Sequence, residues 1–271
     1  WLTTSLRGLV GGTLRVDVLS EGVHSGDASG VVPSSFRIMR QLLDRLDDPL
    51  TGRVRLSALH TDIPLHRISE ACVAAAALGD AIYDKFPFVD RMRPADANLV
   101  ELVLNRTWRP ALSVTGLDGA PAPKNAGNVL RPFTVAKLSM RLPPTVEPVA
   151  AAEAMKRELE RDPPYGARVK FELEEPGSGW NAPATSPWLL DALNAASSKS
   201  WGRMMAMMGE GGTIPFMGML GRVFPKSQFV ITGVLGPASN AHGPNEFLHL
   251  PTAQRVTETV AQVINAHRLA R

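Results

Sequence analysis

Four short segments of the chain place polar side chains among glycines, and loops of this kind are where catalytic and binding residues collect. They are residues 23–26, residues 124–128 with Arg141 further along, residues 209–215 and residues 239–246. Each segment has a chemical interpretation and a structural one, and no single residue decides between them.

His242 lies between small residues that would let a ligand approach. A neutral imidazole there can bind zinc or manganese, with Glu246 holding the loop, and the alternative is a solvated loop histidine. Glu210 lies in a glycine loop, where its carboxylate can face a bound amine while the backbone N–H groups of Gly211 and Gly212 meet an anion. The alternative for this loop is a plain turn.

His24 follows a strand pattern and precedes a serine and a glycine, so we expect its ring to project from the end of a sheet. A neutral imidazole donor there can stabilise a developing oxyanion, and the alternative is a hydrogen-bonded turn histidine. Arg141 lies on the polar side of an alternating strand. Its guanidinium suits bidentate binding of a carboxylate, and the alternative is a surface ion pair.

Composition excludes several classes of protein. The 271 residues are 44% hydrophobic and carry 29 Lys and Arg against 26 Asp and Glu, which predicts a folded chain and not a nucleic-acid binder. The single cysteine, Cys72, excludes a disulfide framework, fits a cytoplasmic location and is expected to be a small buried side chain. No apolar run is long enough for a membrane span. Motifs of zincins, serine hydrolases, P-loop kinases and dinucleotide-binding dehydrogenases do not occur.

The elements that must position these loops follow from periodicity. We expect a strand over 14–18, followed by a helix whose apolar stripe consists of Phe36, Met39, Leu42, Leu43 and Leu46. Further strands are expected over 112–114, 136–142 and 167–173, with a helix over 147–161. Residues 51–108 read as a partly helical insertion. The element order strand, helix, strand, strand, helix, strand predicts an antiparallel sheet with helices on one face.

The segment 176–179 breaks this pattern and is the expected domain boundary. Beyond it the sequence predicts a helix from Pro187, a strand over 228–232 before the His242 loop, and a last helix over 252–268. The predicted division is residues 1–8 as the end of one catalytic-domain segment, 9–176 as a second domain and 177–271 as the C-terminal part of the catalytic domain.

Five motifs, taken in order, resemble the dinuclear-metal peptidase and deacylase family that includes carnosinase, cytosolic nonspecific dipeptidase, aminoacylase and succinyl-diaminopimelate desuccinylase. The carnosinase-like branch is the most similar. The motifs lie at residues 2–8, 23–26, 139–142, 210–215 and 241–246. The resemblance implies an α/β fold, in which an α+β, ferredoxin-like βαββαβ lid or dimerisation domain with an insertion joins the C-terminal part of an α/β metallopeptidase catalytic domain.

The resemblance also implies roles for single residues. His242 corresponds to a metal ligand, and His24 to the histidine that reaches the partner subunit's active site and polarises the scissile carbonyl. Asn128 corresponds to a second residue that crosses the dimer. Arg141 and Thr213 correspond to residues that hold the substrate's carboxylate, and Glu210 to the substrate-facing glycine loop. Gly209 departs from the family, which usually has Arg there.

The implied full-length enzyme holds two divalent metal ions, zinc or manganese, and hydrolyses dipeptides or related amides with metal-activated water. The family's other metal ligands belong to an N-terminal half that this sequence does not contain, so we expect this chain to be inactive alone. The implied partners are a small peptide or N-acyl amino acid and a second copy of the chain, bound through the lid. The sequence leaves open an N-acyl amino acid deacylase, a desuccinylase and a non-catalytic dimerisation or binding module.

We expect dimer contacts from edge strands in the 12–20 and 136–142 regions, or from the helix over residues 33–46.

Overall fold

The computed structural model describes residues 1–236 and 238–270, so Pro237 and Arg271 of the predicted third segment lie outside the described residues. The strands are β1 Leu2–Leu6, β2 Gly8–Asp17, β3 Val23–His24, β4 Ala111–Asp118, β5 Val129–Leu130, β6 Phe133–Leu142, β7 Arg168–Leu173, β8 Trp180–Asn181 and β9 Met207–Glu210. The helices are α1 Ser25–Ala28, α2 Ser35–Leu46, α3 Leu65–Leu78, α4 Ala81–Asp84, α5 Leu99–Thr107, α6 Pro148–Glu160, α7 Pro187–Trp201, α8 Pro215–Val223 and α9 Leu250–Leu269.

The larger sheet has the strand order β4-β6-β2-β7, and every neighbouring pair in it is antiparallel. With α2 following β2 and α6 following β6, this is the ferredoxin-like βαββαβ arrangement, and the predicted fold class is confirmed. The alternation in β6 produces it locally, because Leu138, Met140 and Leu142 are fully buried against α2 and α6. The opposite face of β6 carries Arg141.

Two details of this sheet differ from the prediction. The expected edge strands are wrong, since β2 and β6 are the inner strands and β4 and β7 form the edges. A strand that is paired on both sides has no free backbone groups to offer a second chain. In α2 the stripe holds at Met39, Leu42 and Leu46, but Phe36 is 51% exposed, because the first helical turn directs Ser35 and not Phe36 toward Thr134 of β6.

The smaller sheet has the order β8-β1-β9, with β1 antiparallel to β8 and parallel to β9. The helices α7 and α9 pack together beside it, and Leu2 contributes to their shared core. The predicted strand over 228–232 is wrong, since these residues form no regular element. Their contact with β1 is the backbone hydrogen bond from Thr3 to Ile231, at 2.8 Å, and one bond does not make a ladder.

The insertion over residues 51–108 packs on the smaller sheet, which the sequence patterns do not indicate. Alanines of α3 and the apolar side of α5 enclose Met208 of β9 in a separate core. Thr4 of β1 donates a hydrogen bond to Glu70 of α3, which also pairs with the buried Arg67. Cys72 lies on the outer side of α3 and is exposed, so its expected burial is wrong.

The chain passes between the two sheets at residues 6–9 and again at 177–179. These crossings are tied together, because the backbones of Leu9 and Gly177 exchange two hydrogen bonds of 2.9 and 2.8 Å. The predicted domain limits stay a prediction. None of the helices within residues 1–236 and 238–270 combines the length and apolar character that a bilayer span requires.

Candidate functional site

Two of the predicted residues meet between the sheets. Arg141 projects from the outer face of β6, and its Nη1 donates a hydrogen bond of 2.9 Å to Oγ1 of Thr213, in the loop between β9 and α8. The residues are 72 positions apart in the chain. A guanidinium has five N–H donors, so most of them stay available for an anion beside the Thr213 hydroxyl. This arrangement suits a carboxylate, which accepts two parallel bonds from one guanidinium.

Arg7 holds the glycine loop from behind. Its Nε donates to the carbonyl oxygen of Gly211 at 3.1 Å, and its Nη1 donates to that of Asn105 at 3.3 Å. Burial, to which the neighbouring cations Arg141 and Arg106 add, lowers the pKa of Arg7 to about 10. Among the described residues no carboxylate forms a salt bridge with any of these three arginines. The loop therefore lies beside an uncompensated positive charge that favours a bound anion.

Close packing against α5 and β1 explains two glycines of this segment, Gly209 and Gly211. A Cβ added at Gly209 would overlap Oγ of Ser5 and lie 3.0 Å from Cβ of Thr107. A Cβ added at Gly211 would lie 3.0 Å from the carbonyl oxygen of Arg106. Gly209 is thus the residue that the packing of α5 requires, and an arginine at this position has no room.

Glu210 is exposed and faces a cation. Burial lowers the pKa of Lys85, the charge of Arg106 lowers it further, and the charge of Glu210 opposes both effects. Lys85 follows α4 of the insertion, so the insertion contributes charge next to the glycine loop.

His24 and Asn128 lie together elsewhere, on the two-stranded ribbon formed by β3 and β5. His24 pairs with Val129, and the backbone N–H of Ser25 donates to the carbonyl oxygen of Asn128 at 2.9 Å. Both side chains are exposed. No hydrogen bond among the described residues links either side chain to Arg141 or Thr213.

His242 lies in an exposed loop of unusual backbone conformation. Its N–H donates to Oε2 of Glu246 at 3.0 Å, so Glu246 holds the loop as the sequence indicates. His242, Ala238, Asn240 and Asn245 all have φ between 52° and 59°. Such conformations cost side-chain-bearing residues energy and are concentrated at functional sites.

A complete metal centre does not fit these residues. Within the part of the chain that the structure describes, no three His, Cys, Asp or Glu side chains lie close enough together to bind one ion. His242 provides one candidate ligand, and a protein-held zinc site needs at least three.

Sequence reasoning does not single out Arg7 or the end of α5. Two signals include Arg7: it lies in the motif at residues 2–8, and it is a charged residue inside an otherwise uncharged run, residues 1–14, that forms β1 and most of β2. The approach of α5 has no sequence signal, because it depends on which sheet the insertion covers.

The fold is that of an α/β protein with a ferredoxin-like unit, and the hydrogen-bonded pair Arg141 and Thr213 lies between its two sheets. The family described as "Peptidase dimerisation domain" (M20_dimer) matches residues 4–167, and the chain belongs to this M20 peptidase family.

Two curated relatives and one solved structure are similar over most of the chain. A cysteinylglycine-S-conjugate dipeptidase of Corynebacterium striatum is 26% identical over 93% of this chain and 55% of its own length. A Cys-Gly metallodipeptidase of Schizosaccharomyces pombe is 23% identical over 92% and 52%. An M20 family metallo-carboxypeptidase from Sulfolobus solfataricus is 17% identical with a TM-score of 0.75, over 99% and 60%. The chain thus spans about half the length of the curated relatives.

Proposed function

We propose that this chain is part of a metal-dependent dipeptidase and that Arg141 and Thr213 bind the free carboxylate of the substrate. The observation that carries the proposal is the 2.9 Å bond between them, which joins the larger sheet to the glycine loop. The uncompensated charge of Arg7 and Arg106 adds a positive potential at the same place. Membership of a peptidase family and the names of the two curated relatives support a dipeptide as the substrate.

His24 and Asn128 act, in this proposal, on the active site of a second copy of the chain. Their exposure, and the absence of a hydrogen bond to Arg141 or Thr213 in the described part of one chain, support this assignment. His24 donates a hydrogen bond to the carbonyl oxygen under attack, where negative charge develops. Asn128, beside it on the ribbon, contacts the substrate.

The homodimer forms through the larger sheet. Its edge strand β4 pairs with β6 on one side, and Leu117 on this strand is 67% exposed. Free backbone groups beside an exposed apolar side chain are the features that pair with another chain. We place the protein in the cytoplasm, which the single unpaired Cys72 supports.

Two divalent metal ions, zinc or manganese, belong to the complete enzyme. This chain contributes His242 as a ligand and Glu210 as a substrate-facing carboxylate, and the remaining ligands lie on residues outside this chain. Membership of the family and the name of the S. pombe relative support the metal requirement. On this basis the chain alone does not hydrolyse peptides.

Related amide substrates and a non-catalytic role are the competing functions. An N-acyl amino acid also has a free carboxylate, so the Arg141 site fits deacylase or desuccinylase activity equally well. A role as a dimerisation or binding module is consistent with the lack of a metal-binding cluster in the described residues.

A substrate panel tests the proposal. Dipeptides, N-acetyl amino acids and N-succinyl amino acids are incubated with zinc or manganese and two proteins: this chain, and a longer protein that joins it to the other half of the family's length. We expect the longer protein to hydrolyse dipeptides fastest. Activity toward acyl amino acids alone would favour a deacylase, and no hydrolysis by the folded, metal-loaded longer protein would reject an enzymatic role.

A further inference from the structure

Gly26 lies directly beneath the imidazole ring of His24. A Cβ added at Gly26 would lie 2.7 Å from Cε1, 3.1 Å from Nδ1 and 3.9 Å from Nε2 of that ring. Carbon atoms in contact prefer a separation of about 3.5–4.0 Å. Any side chain at position 26 would therefore displace the ring from its position.

The three distances also give the direction of the ring. Cε1, Nδ1 and Nε2 are the ring atoms nearest to the added Cβ, so the imidazole lies over the first turn of α1 with Cε1 toward Gly26. The backbone of His24 is fixed independently, because it pairs with Val129 in the ribbon. The side-chain rotamer is thus the remaining freedom, and the space above Gly26 permits the rotamer that is observed.

We propose that Gly26 is a positioning residue for His24. By leaving room for the ring over α1, it allows the imidazole to take the position from which it donates a hydrogen bond to the substrate's carbonyl oxygen. The inference rests on the role proposed above for His24 and adds which neighbouring residue leaves the ring its place. Gly26 has no left-handed φ, so its backbone conformation also suits alanine. The missing methyl group is what matters at this position.

The first test needs no catalytic activity. Imidazole NMR signals of this chain are compared between the original sequence, Gly26→Ala and Gly127→Ala, with the His24 signals assigned by their loss in His24→Gln. Gly127 precedes Asn128, near the same ribbon, and an added Cβ there meets nothing within 4 Å, so this variant is the matched control. We expect the His24 signals to shift in Gly26→Ala only. Unchanged signals in Gly26→Ala, or equal shifts in both variants, would overturn the inference.

The second test is kinetic and uses the longer protein that hydrolyses dipeptides. A ring moved by about 1 Å can cost about 10²-fold in rate, so Gly26→Ala should lower kcat by at least tenfold while KM changes less than twofold. In a His24→Gln background the same substitution should have no further effect. An equal loss of kcat in that background would overturn the positioning role. Absence of hydrolysis in the unsubstituted protein would instead reject the proposed function, and the NMR result would still stand.

Discussion

The contact between the insertion and the smaller sheet provides the sharpest test of the fold. The side chain of Arg67 in α3 is 4% exposed, and its guanidinium donates hydrogen bonds to three residues. Nη1 bonds both carboxylate oxygens of Glu70 at 2.7 and 2.9 Å, Nε bonds Oδ1 of Asn181 at 3.1 Å, and Nη2 bonds the carbonyl oxygen of Ala182 at 3.0 Å. Thr4 donates to the same carboxylate at 2.7 Å. One guanidinium therefore fastens α3 to β8, and its carboxylate partner fastens α3 to β1.

Arg67→Met should remove this connection and leave Glu70 without its cation. Breaking a buried ion pair by deleting one partner costs about 3–5 kcal/mol. The side chain of Glu70 is 15% exposed and retains the Thr4 hydroxyl, so we expect the lower end, about 3 kcal/mol of unfolding free energy. The double variant Arg67→Met with Glu70→Leu should recover most of this loss, because it leaves no buried charge unpaired.

Denaturant unfolding of the four proteins in this cycle measures the coupling directly. Arg55→Met is the matched control, since its ion pair with Asp48 is exposed to solvent and should contribute little to stability. If Arg67→Met costs no more than this control, or if the two substitutions are simply additive, the account of how the insertion is held is refuted.

Three further predictions concern charge and assembly. Arg106→Met should raise the unfolding free energy by about 1 kcal/mol, because Nε of Arg106 is buried without a hydrogen-bond partner among the described residues. A lower unfolding free energy for this variant in denaturant unfolding would contradict the prediction. Leu117→Lys should shift the dimer toward monomer in analytical ultracentrifugation, and an unchanged sedimentation coefficient would exclude β4 from the interface. The pKa of Asp17 is lowered by hydrogen bonds from Arg15 and then Arg168, so its stabilisation exists above about pH 4 and disappears as the pH falls. Asp17→Asn should flatten that acid-side loss of stability, and an identical pH profile would disprove the assignment.

The larger sheet is predictable from the sequence because its signals are local. The alternation over 136–142 determines which face of β6 is buried, and the stripe of Met39, Leu42 and Leu46 determines the buried face of α2. The order of the strands is less accessible, since periodicity shows that a strand has one buried face and not how many neighbours it has. The edge assignment failed for that reason.

Long-range packing is the part that sequence patterns miss. The segment 228–232 has strand character but forms no ladder with any other described residues. The insertion is recognisable as helical, yet its docking on β9 depends on the Arg67 network and on alanines that match the sheet by shape.

The candidate site shows the same difference between local sequence signals and long-range packing. Arg141 and Thr213 could be proposed from motifs, and the structure joins them. The departure of Gly209 from the family pattern stays a prediction, but its close contacts come from Thr107 and Ser5, which no local pattern connects to it.

The central claim is that Arg141 and Thr213 bind a substrate carboxylate. Calorimetric titration of this chain with a dipeptide, and with the same dipeptide as its C-terminal amide, tests that claim most directly. Hydrogen bonds to a charged group contribute about 1.5–3 kcal/mol, so the free carboxylate should bind at least tenfold more tightly, and Arg141→Met should abolish the difference. Equal affinities for the two ligands, or a preference that persists in Arg141→Met, would contradict the account.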